Sequence, residues 1–157
     1  MTDKDTFLRY YERSSCSVQW MEFNRAFAEE LSAGLPPEEI RQLFYRVGER
    51  LAQAMPLVRC DTLDDLRSGF NARWDAIDWG FTTLQDDGES LQIVHACSPL
   101  AMAFGPESGE WAAGFFEGAY QAWFAAQGIP PALRVRAQGT GAAELPQVHL
   151  RLGRFQP

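Results

Sequence analysis

The stretch GEWAAGFFEGAYQAWF, residues 109–124, has the most unusual pattern in this 157-residue chain and predicts its central helix. It holds six large aromatic side chains in sixteen positions, and its charged residues are Glu110 and Glu117. At about 100° per residue, the rings spread over half of a helix and small residues occupy most of the other half. An ordinary surface helix has one apolar stripe and one charged face, so this helix is predicted to be covered on both sides.

The two sides of this predicted helix differ in bulk. The residues predicted to pack in a core or at a contact between subunits are Trp111, Phe115, Phe116, Gly118, Tyr120 and Trp123. Gly118 belongs to a smooth Ala/Gly side that another helix or a sheet can approach closely, while Glu117 and Gln121 form a thin polar seam. Two interpretations stay open: a central helix within one monomer, or a helix buried at a subunit contact, where aromatic residues are enriched.

Three further helices precede this one. Pro36 and Pro37 open the second, and Thr62 with Asp65 resembles a capping box at the start of the third. Apolar residues at helical spacing form the three stripes: Trp20, Phe23, Phe27 and Leu31; Ile40, Leu43, Phe44, Val47 and Leu51; Leu63, Leu66, Phe70, Trp74 and Ile77. Residues 1–17 show no clean period and are predicted to form an N-terminal arm beside a single domain over residues 18–157.

Strand patterns occupy the rest of the chain. Residues 79–84 and 91–95 flank the turn Asp86-Asp87-Gly88-Glu89, whose Asp-Gly pair predicts a hairpin. Residues 133–137 and 148–152 alternate around the predicted turn Gly139-Thr140-Gly141 and indicate a second hairpin. The chain is therefore predicted to be α+β, with a layer of about four helices and an antiparallel sheet of about four strands.

Net charge, the length of apolar runs and cysteine spacing argue against several classes of partner and location. A net charge of −7 and scattered basic residues argue against nucleic acid as a partner. Apolar runs are too short for membrane insertion, and the charged N-terminus does not resemble a secretory signal, so the cytoplasm is the expected compartment. Cys16, Cys60 and Cys97 lack metal-ligand spacing and are predicted to be reduced structural thiols.

The chain shows no catalytic constellation, and neither a metal nor a cofactor is predicted. His95 and His149 have no carboxylate or cysteine at suitable spacing and are predicted to be structural. The acidic turn at 86–89 lacks the ligand spacing of a calcium loop. The unusual features of the sequence concern apolar surface, so an enzyme is the least favoured class.

Five segments, in the same order and with similar spacing, resemble the D subunit of bacterial cellulose synthase. They are RVGERLAQAM (46–55), CDTLDDL (60–66), NARWDAIDWGF (71–81), IVH (93–95) and GEWAAGFFEGAYQAWF (109–124). The matching positions are Val47, Gly48, Cys60, Thr62, Leu66, Asn71, Ile77, Trp79, Gly80, Ile93, Val94, His95, Trp111, Glu117, Gly118, Tyr120 and Trp123. The resemblance runs from about residue 40 to 125.

The resemblance implies a non-catalytic accessory subunit that forms an octameric ring or cylinder built from dimers. Such an assembly would organise nascent glucan chains or synthase complexes, with other cellulose synthase subunits or accessory proteins as partners. The family's N-terminal segment lines passages for glucan, but the first 35 residues here do not match its pattern. From the residues themselves, Phe7, Tyr10 and Tyr11 are predicted to contact glucan, because flat rings beside polar groups suit sugar faces.

One alternative function is a sensor that binds a small molecule in an aromatic pocket between the helices and the sheet. Native mass separates the two functions, because an assembly subunit forms a large homo-oligomer and a sensor carries a ligand. A passage for exported glucan would place the protein in the periplasm instead of the cytoplasm.

Overall fold

The computed structural model describes residues 3–139 and 147–156. The helices are α1 (Asp3–Ser14), α2 (Val18–Gly34), α3 (Pro37–Ala54), α4 (Leu63–Ala76), α5 (Leu100–Phe104) and α6 (Gly109–Ala126), with a 3-10 turn at Pro106–Ser108. The strands are β1 (Phe81–Asp86), β2 (Leu91–Ala96), β3 (Arg134–Gln138) and β4 (Gln147–Gly153). The predicted α+β class is confirmed, as the helices pack against a four-stranded antiparallel sheet.

The two predicted hairpins join into one sheet. Its strand order is β1-β2-β4-β3, so β2 and β4 form the central pair and β1 and β3 are the edges. One row of apolar residues crosses all four strands, from Leu84 through Ile93 and Leu150 to Ala137. Ile93 and Leu150 are fully buried, so this row is the sheet's contribution to the core. Thr140 and Gly141 of the second predicted turn lie outside the described residues.

The helix boundaries follow local chemistry. Pro37 stands in the first turn of α3 beside Glu38 and Glu39, which favour the positive end of the helix. At the start of α4, the Thr62 hydroxyl accepts a hydrogen bond from the Asp65 amide at 3.0 Å, so the predicted cap is confirmed.

Two helices fall where the sequence predicted none. Residues 3–14, expected to have no regular period, form α1, whose side chains are mostly exposed. Residues 100–104, expected to belong to a loop, form the short helix α5, which packs against α2. Both helices are short or exposed, so neither carries the long one-sided apolar period by which a helix is found in a sequence.

Two predicted stripes are rotated relative to the core. On α3 the buried residues are Ile40, Phe44, Gly48 and Ala52, while Val47 is half exposed. On α2 the stripe of Trp20, Phe23 and Phe27 faces outward, and the buried residue is Ala28. On α3, Gly48 faces α6, where close approach of the two backbones leaves no room for a larger side chain.

Candidate functional site

The aromatic side of α6 fills the core of the monomer. Trp111, Phe115, Phe116, Tyr120 and Trp123 are each at most 4% exposed. Their rings contact aromatic residues of α3, α4 and the segment between α4 and β1, namely Phe44, Phe70, Trp74 and Trp79. Side chains buried this completely within one chain leave no surface for a second copy.

The smooth side of α6 is occupied by α3, at backbone contact distance. A Cβ atom placed on Gly114 would lie 2.5 Å from the Arg41 carbonyl oxygen. A Cβ atom on Gly118 would overlap the Tyr45 carbonyl, and one on Gly48 of α3 would overlap the Phe115 carbonyl. Glycines on both helices therefore set their separation, and the close approach predicted from the Ala/Gly side is made by α3.

The polar seam of α6 is buried and seals one edge of the sheet. Glu117 is 3% exposed; its carboxylate receives the Arg41 guanidinium at 2.7 and 2.8 Å and the Ala137 amide at 3.0 Å. Gln121 accepts a hydrogen bond from the Val135 amide at 2.8 Å and donates one to the Leu133 carbonyl at 3.2 Å. These two side chains occupy outward-pointing amides of β3, where another strand would otherwise pair.

The opposite edge of the sheet is covered at Thr82 in the same way. The Asn71 side chain of α4 accepts a hydrogen bond from the Thr82 amide at 2.6 Å and donates one to the Thr82 carbonyl at 3.0 Å. Asn71 thus provides both bonds that a neighbouring strand would make with this residue of β1. Sequence reasoning did not predict these edge contacts, because each joins residues that are distant in the chain.

A buried polar cluster connects α4, α6 and the sheet through the Tyr120 hydroxyl. This hydroxyl accepts a hydrogen bond from the Trp74 indole at 3.0 Å, contacts the Thr82 hydroxyl closely and lies 2.8 Å from His95 Nδ1. His95 Nε2 lies 2.7 Å from the Trp79 carbonyl oxygen, which only accepts, so Nε2 carries the proton and Nδ1 accepts from Tyr120.

Burial shifts both titratable groups of this cluster away from charge. It lowers the pKa of His95 to about 4, against the opposing effect of the Trp79 carbonyl. Burial also raises the pKa of Tyr120 above its usual range, although hydrogen bonds from Thr82 and Trp74 oppose it. With every hydrogen-bonding atom of its ring engaged inside the core, His95 acts as a structural connector between α6 and the sheet.

The three residues predicted to contact glucan lie on α1, and two of them have free rings. Phe7 is 74% and Tyr10 75% exposed, so both present their faces to solvent. Tyr11 is less exposed and donates a hydrogen bond from its hydroxyl to the Cys97 carbonyl at 3.1 Å. Tyr11 therefore anchors α1 to the end of β2, which leaves Phe7 and Tyr10 as the accessible pair.

A second exposed aromatic surface lies on α2. We call Trp20, Phe23 and Phe27 the α2 stripe. The Trp20 and Phe23 rings meet edge to face with centroids 5.8 Å apart, and Phe23 stacks on Phe27 at 6.5 Å. The spacing of these residues was evident in the sequence, but their outward orientation was not.

A half-open cavity of about 570 Å³ lies at the start of α6, beside the ends of β3 and β4. Its apolar lining includes Leu100, Ala112, Phe116 and Val148, and polar groups such as Glu107 stand at its rim. One aromatic residue, Phe116, belongs to its lining, whereas the other rings on the aromatic side of α6 pack against aromatic residues of the core.

Within the described ranges, no helix is long and apolar enough to cross a membrane. In the same residues, no three His, Cys, Asp or Glu side chains are grouped as a metal site would require. The three cysteines are unpaired thiols, each partly buried.

Together these features define a class: a small α+β protein with a tightly interlocked core and with exposed aromatic helices at its N-terminal end. A family model for the D subunit of cellulose synthase matches residues 6–152. Cellulose synthase operon protein D of Komagataeibacter xylinus is 29% identical over 107 residues, which cover 67% of this chain and 69% of that protein. The chain belongs to the family of cellulose synthase D subunits, which supports a role in cellulose synthesis.

Proposed function

We propose that this chain is a non-catalytic accessory subunit of the bacterial cellulose synthesis and secretion machinery. In this role it assembles with copies of itself, as dimers that build an octameric ring or cylinder, and associates with other cellulose synthase components. The observation that carries the proposal, beside family membership, is the exposed aromatic surface of α1 and α2. Monomeric proteins rarely leave large contiguous apolar surface uncovered, and such surfaces usually contact partners.

The assembly is tested by the native mass of the purified chain in multi-angle light scattering. We expect a homo-oligomer well above a dimer at micromolar concentration, whose mass is stable on dilution. A monomer under these conditions would refute the ring. Deletion of the gene should reduce the crystallinity and yield of cellulose, while complementation restores both.

Within that assembly, we propose that Phe7 and Tyr10 contact nascent glucan, with Tyr11 as the anchor of α1. Aromatic rings stack on the apolar faces of sugar units while neighbouring polar groups reach the hydroxyls. The double variant Phe7→Ala/Tyr10→Ala should lower cellulose crystallinity without changing native mass. Val58→Ala is the control, because Val58 is an exposed apolar residue between α3 and α4. Unchanged crystallinity in the double variant would remove glucan contact from the proposal.

The half-open cavity favours a second candidate function, a module that binds a small apolar molecule. Mass spectrometry of the denatured, freshly purified protein would then detect a ligand. The variant Ala113→Phe, at a lining position of the cavity, should exclude that ligand while the native mass stays unchanged. Protein that carries no ligand and a normal native mass would favour the assembly subunit.

We further propose a cytoplasmic location, where the protein would organise synthase complexes from the inner side of the membrane. A periplasmic location is the alternative if the assembly provides a passage for exported glucan. Fractionation of cells that produce a tagged chain from the native locus distinguishes the two compartments.

A further inference from the structure

The α2 stripe is the most apolar side of its helix, yet it points away from the monomer. Trp20 is 59%, Phe23 61% and Phe27 44% exposed. The inward side of α2 carries Arg25, whose guanidinium reaches the Met102 carbonyl at 3.4 Å, and the small Ala28. A helix normally buries its most apolar side, so this stripe is a surface suited to a partner outside the monomer.

The first and last turns of α2 lack the charges that its dipole favours, and Glu22 in the second turn is the acidic residue nearest the amino end. Its first turn, over residues 18–21, holds no acidic residue, and within the described structure the Ser17 side chain makes no capping hydrogen bond. Glu29 and Glu30, both exposed, stand near the carboxyl end, which carries the negative end of the dipole. An antiparallel neighbour of the same sequence, packed on the α2 stripe, would place its Glu30 beside the amino end of this helix, because Glu30 flanks the stripe.

We propose that α2 pairs with the α2 of a second copy, antiparallel and across a two-fold axis that passes beside the α2 stripe. This inference rests on the proposed self-assembly and names one contact within it. In a two-fold contact, residue i of one copy meets residue j of the other and the reverse. The helical spacing then sets Phe23 against the other copy's Phe27, and Gln19 beside the other copy's Glu30.

The exposed area agrees with one contact within a larger assembly. A fully buried aromatic side chain covers about 150–250 Å², so the exposed parts of the three rings supply about 300 Å² per copy. Two copies then bury about 600 Å² from rings alone, against roughly 1,000 Å² or more for a stable interface. The flanking residues Gln19 and Leu31 and further contacts in the assembly must supply the rest.

The contact is tested by the native mass of Phe23→Glu and Phe27→Glu. Each variant sets a carboxylate into the centre of the paired stripes, and the dissociation constant of this contact should rise at least about tenfold. The assembly should therefore fall to a smaller species on dilution, with an unchanged circular dichroism spectrum. Phe81→Glu, at an equally exposed ring elsewhere, should keep the parent mass.

Orientation is tested by disulfide capture between two differently tagged variants, Phe23→Cys and Phe27→Cys, in a Cys16→Ser background. Antiparallel pairing predicts that the two variants cross-link to each other faster than either does to itself. Faster self-linking of Phe23→Cys would indicate parallel helices or an antiparallel pair in another register, and either result overturns the proposed geometry. The charge at position 19 gives a second test, because this residue lies beside the other copy's Glu30. Gln19→Arg should lower the dissociation constant of the contact up to about fivefold, and Gln19→Glu should raise it.

These outcomes separate this inference from the proposed function. A large parent assembly that keeps its mass in both glutamate variants overturns the α2 contact and leaves self-assembly standing. A monomeric parent protein overturns self-assembly and this contact together.

Discussion

At the scale of single residues, this chain depends on positions where no other side chain fits. Gly118 is the clearest of them, because its Cα faces the Tyr45 carbonyl of α3 directly. A glycine at such a position loses more conformational entropy on folding than other residues do, but it allows two backbones to pack closely. The role of Gly118 is thus to bring α6 and α3 together.

Gly118→Ala should lower the free energy of unfolding by about 3 kcal/mol, because the added methyl group meets backbone that cannot move aside. Chemical denaturation measures the loss. The control is Gly34→Ala, at the end of α2, where an added Cβ would meet no heavy atom within 4 Å. Equal stability of the two variants would show that α3 and α6 are not closely packed.

His95 makes stability depend on pH. Its pKa is lowered from 6.5 to about 4 by burial, so the unfolded chain binds a proton more readily than the folded one between these values. The stabilisation is fully present above pH 6.5 and is lost as the pH falls towards 4, by roughly 3 kcal/mol. Urea denaturation of the parent and of His95→Gln across this range measures the effect.

We expect His95→Gln to be less stable at pH 7 but to lose less stability on acidification. His149→Gln, which changes a partly buried histidine on β4, should keep the slope of the parent. A parent slope retained in His95→Gln would assign the acid sensitivity to other groups.

At the scale of elements, helices protect both edges of the sheet with polar side chains. Gln121 and Glu117 of α6 cover β3, and Asn71 of α4 covers β1. Exposed strand edges invite pairing with other chains, so these contacts direct association away from the covered positions. The proposed assembly is therefore expected to use other surfaces, such as the helices.

Gln121→Met tests this protection. The variant keeps the side-chain volume but leaves the Val135 amide and the Leu133 carbonyl without partners, so we expect a loss of about 2 kcal/mol. Hydrogen exchange at the Val135 amide should become faster than in the parent. Gln53→Met, at an exposed position of α3, is the control and should change neither quantity. Unchanged exchange at Val135 would show that Gln121 does not seal the edge.

At the scale of the whole molecule, α1 is joined to the rest less tightly than the other long helices are. Its side chains are mostly exposed, and the contact of Tyr11 with Cys97 ties it to the sheet. This arrangement agrees with an arm that serves contacts outside the monomer. The arm over residues 1–17 and the single domain over 18–157 stay predictions.

Deletion of residues 1–14 should leave the domain folded. Loss of the Tyr11–Cys97 hydrogen bond by itself costs about 1 kcal/mol, which lowers Tm by roughly 2–4 °C in a chain of this length. Differential scanning calorimetry should show one cooperative transition for both proteins. A truncated chain without such a transition would make α1 part of the domain core.

Local patterns in the sequence were enough to establish the α+β class, both hairpins, four of the helices and the covering of α6 on both sides. These features depend on spacing, because helical period, alternation, caps and turns act between residues that are close in the chain. Resemblance in five ordered segments also identified the family that the match over residues 6–152 confirmed.

Which neighbour covers each face became known from the tertiary structure. In the structure, α3 packs on the Ala/Gly side of α6, and Glu117 and Gln121 bind the edge of β3. The α2 stripe is exposed. Spacing shows that a helix has an apolar face but not what lies opposite it, because that depends on contacts between residues distant in the chain. For the same reason, the sequence left open whether the aromatic side of α6 packs inside one monomer or against a second copy, and the structure places those rings in the core of the monomer.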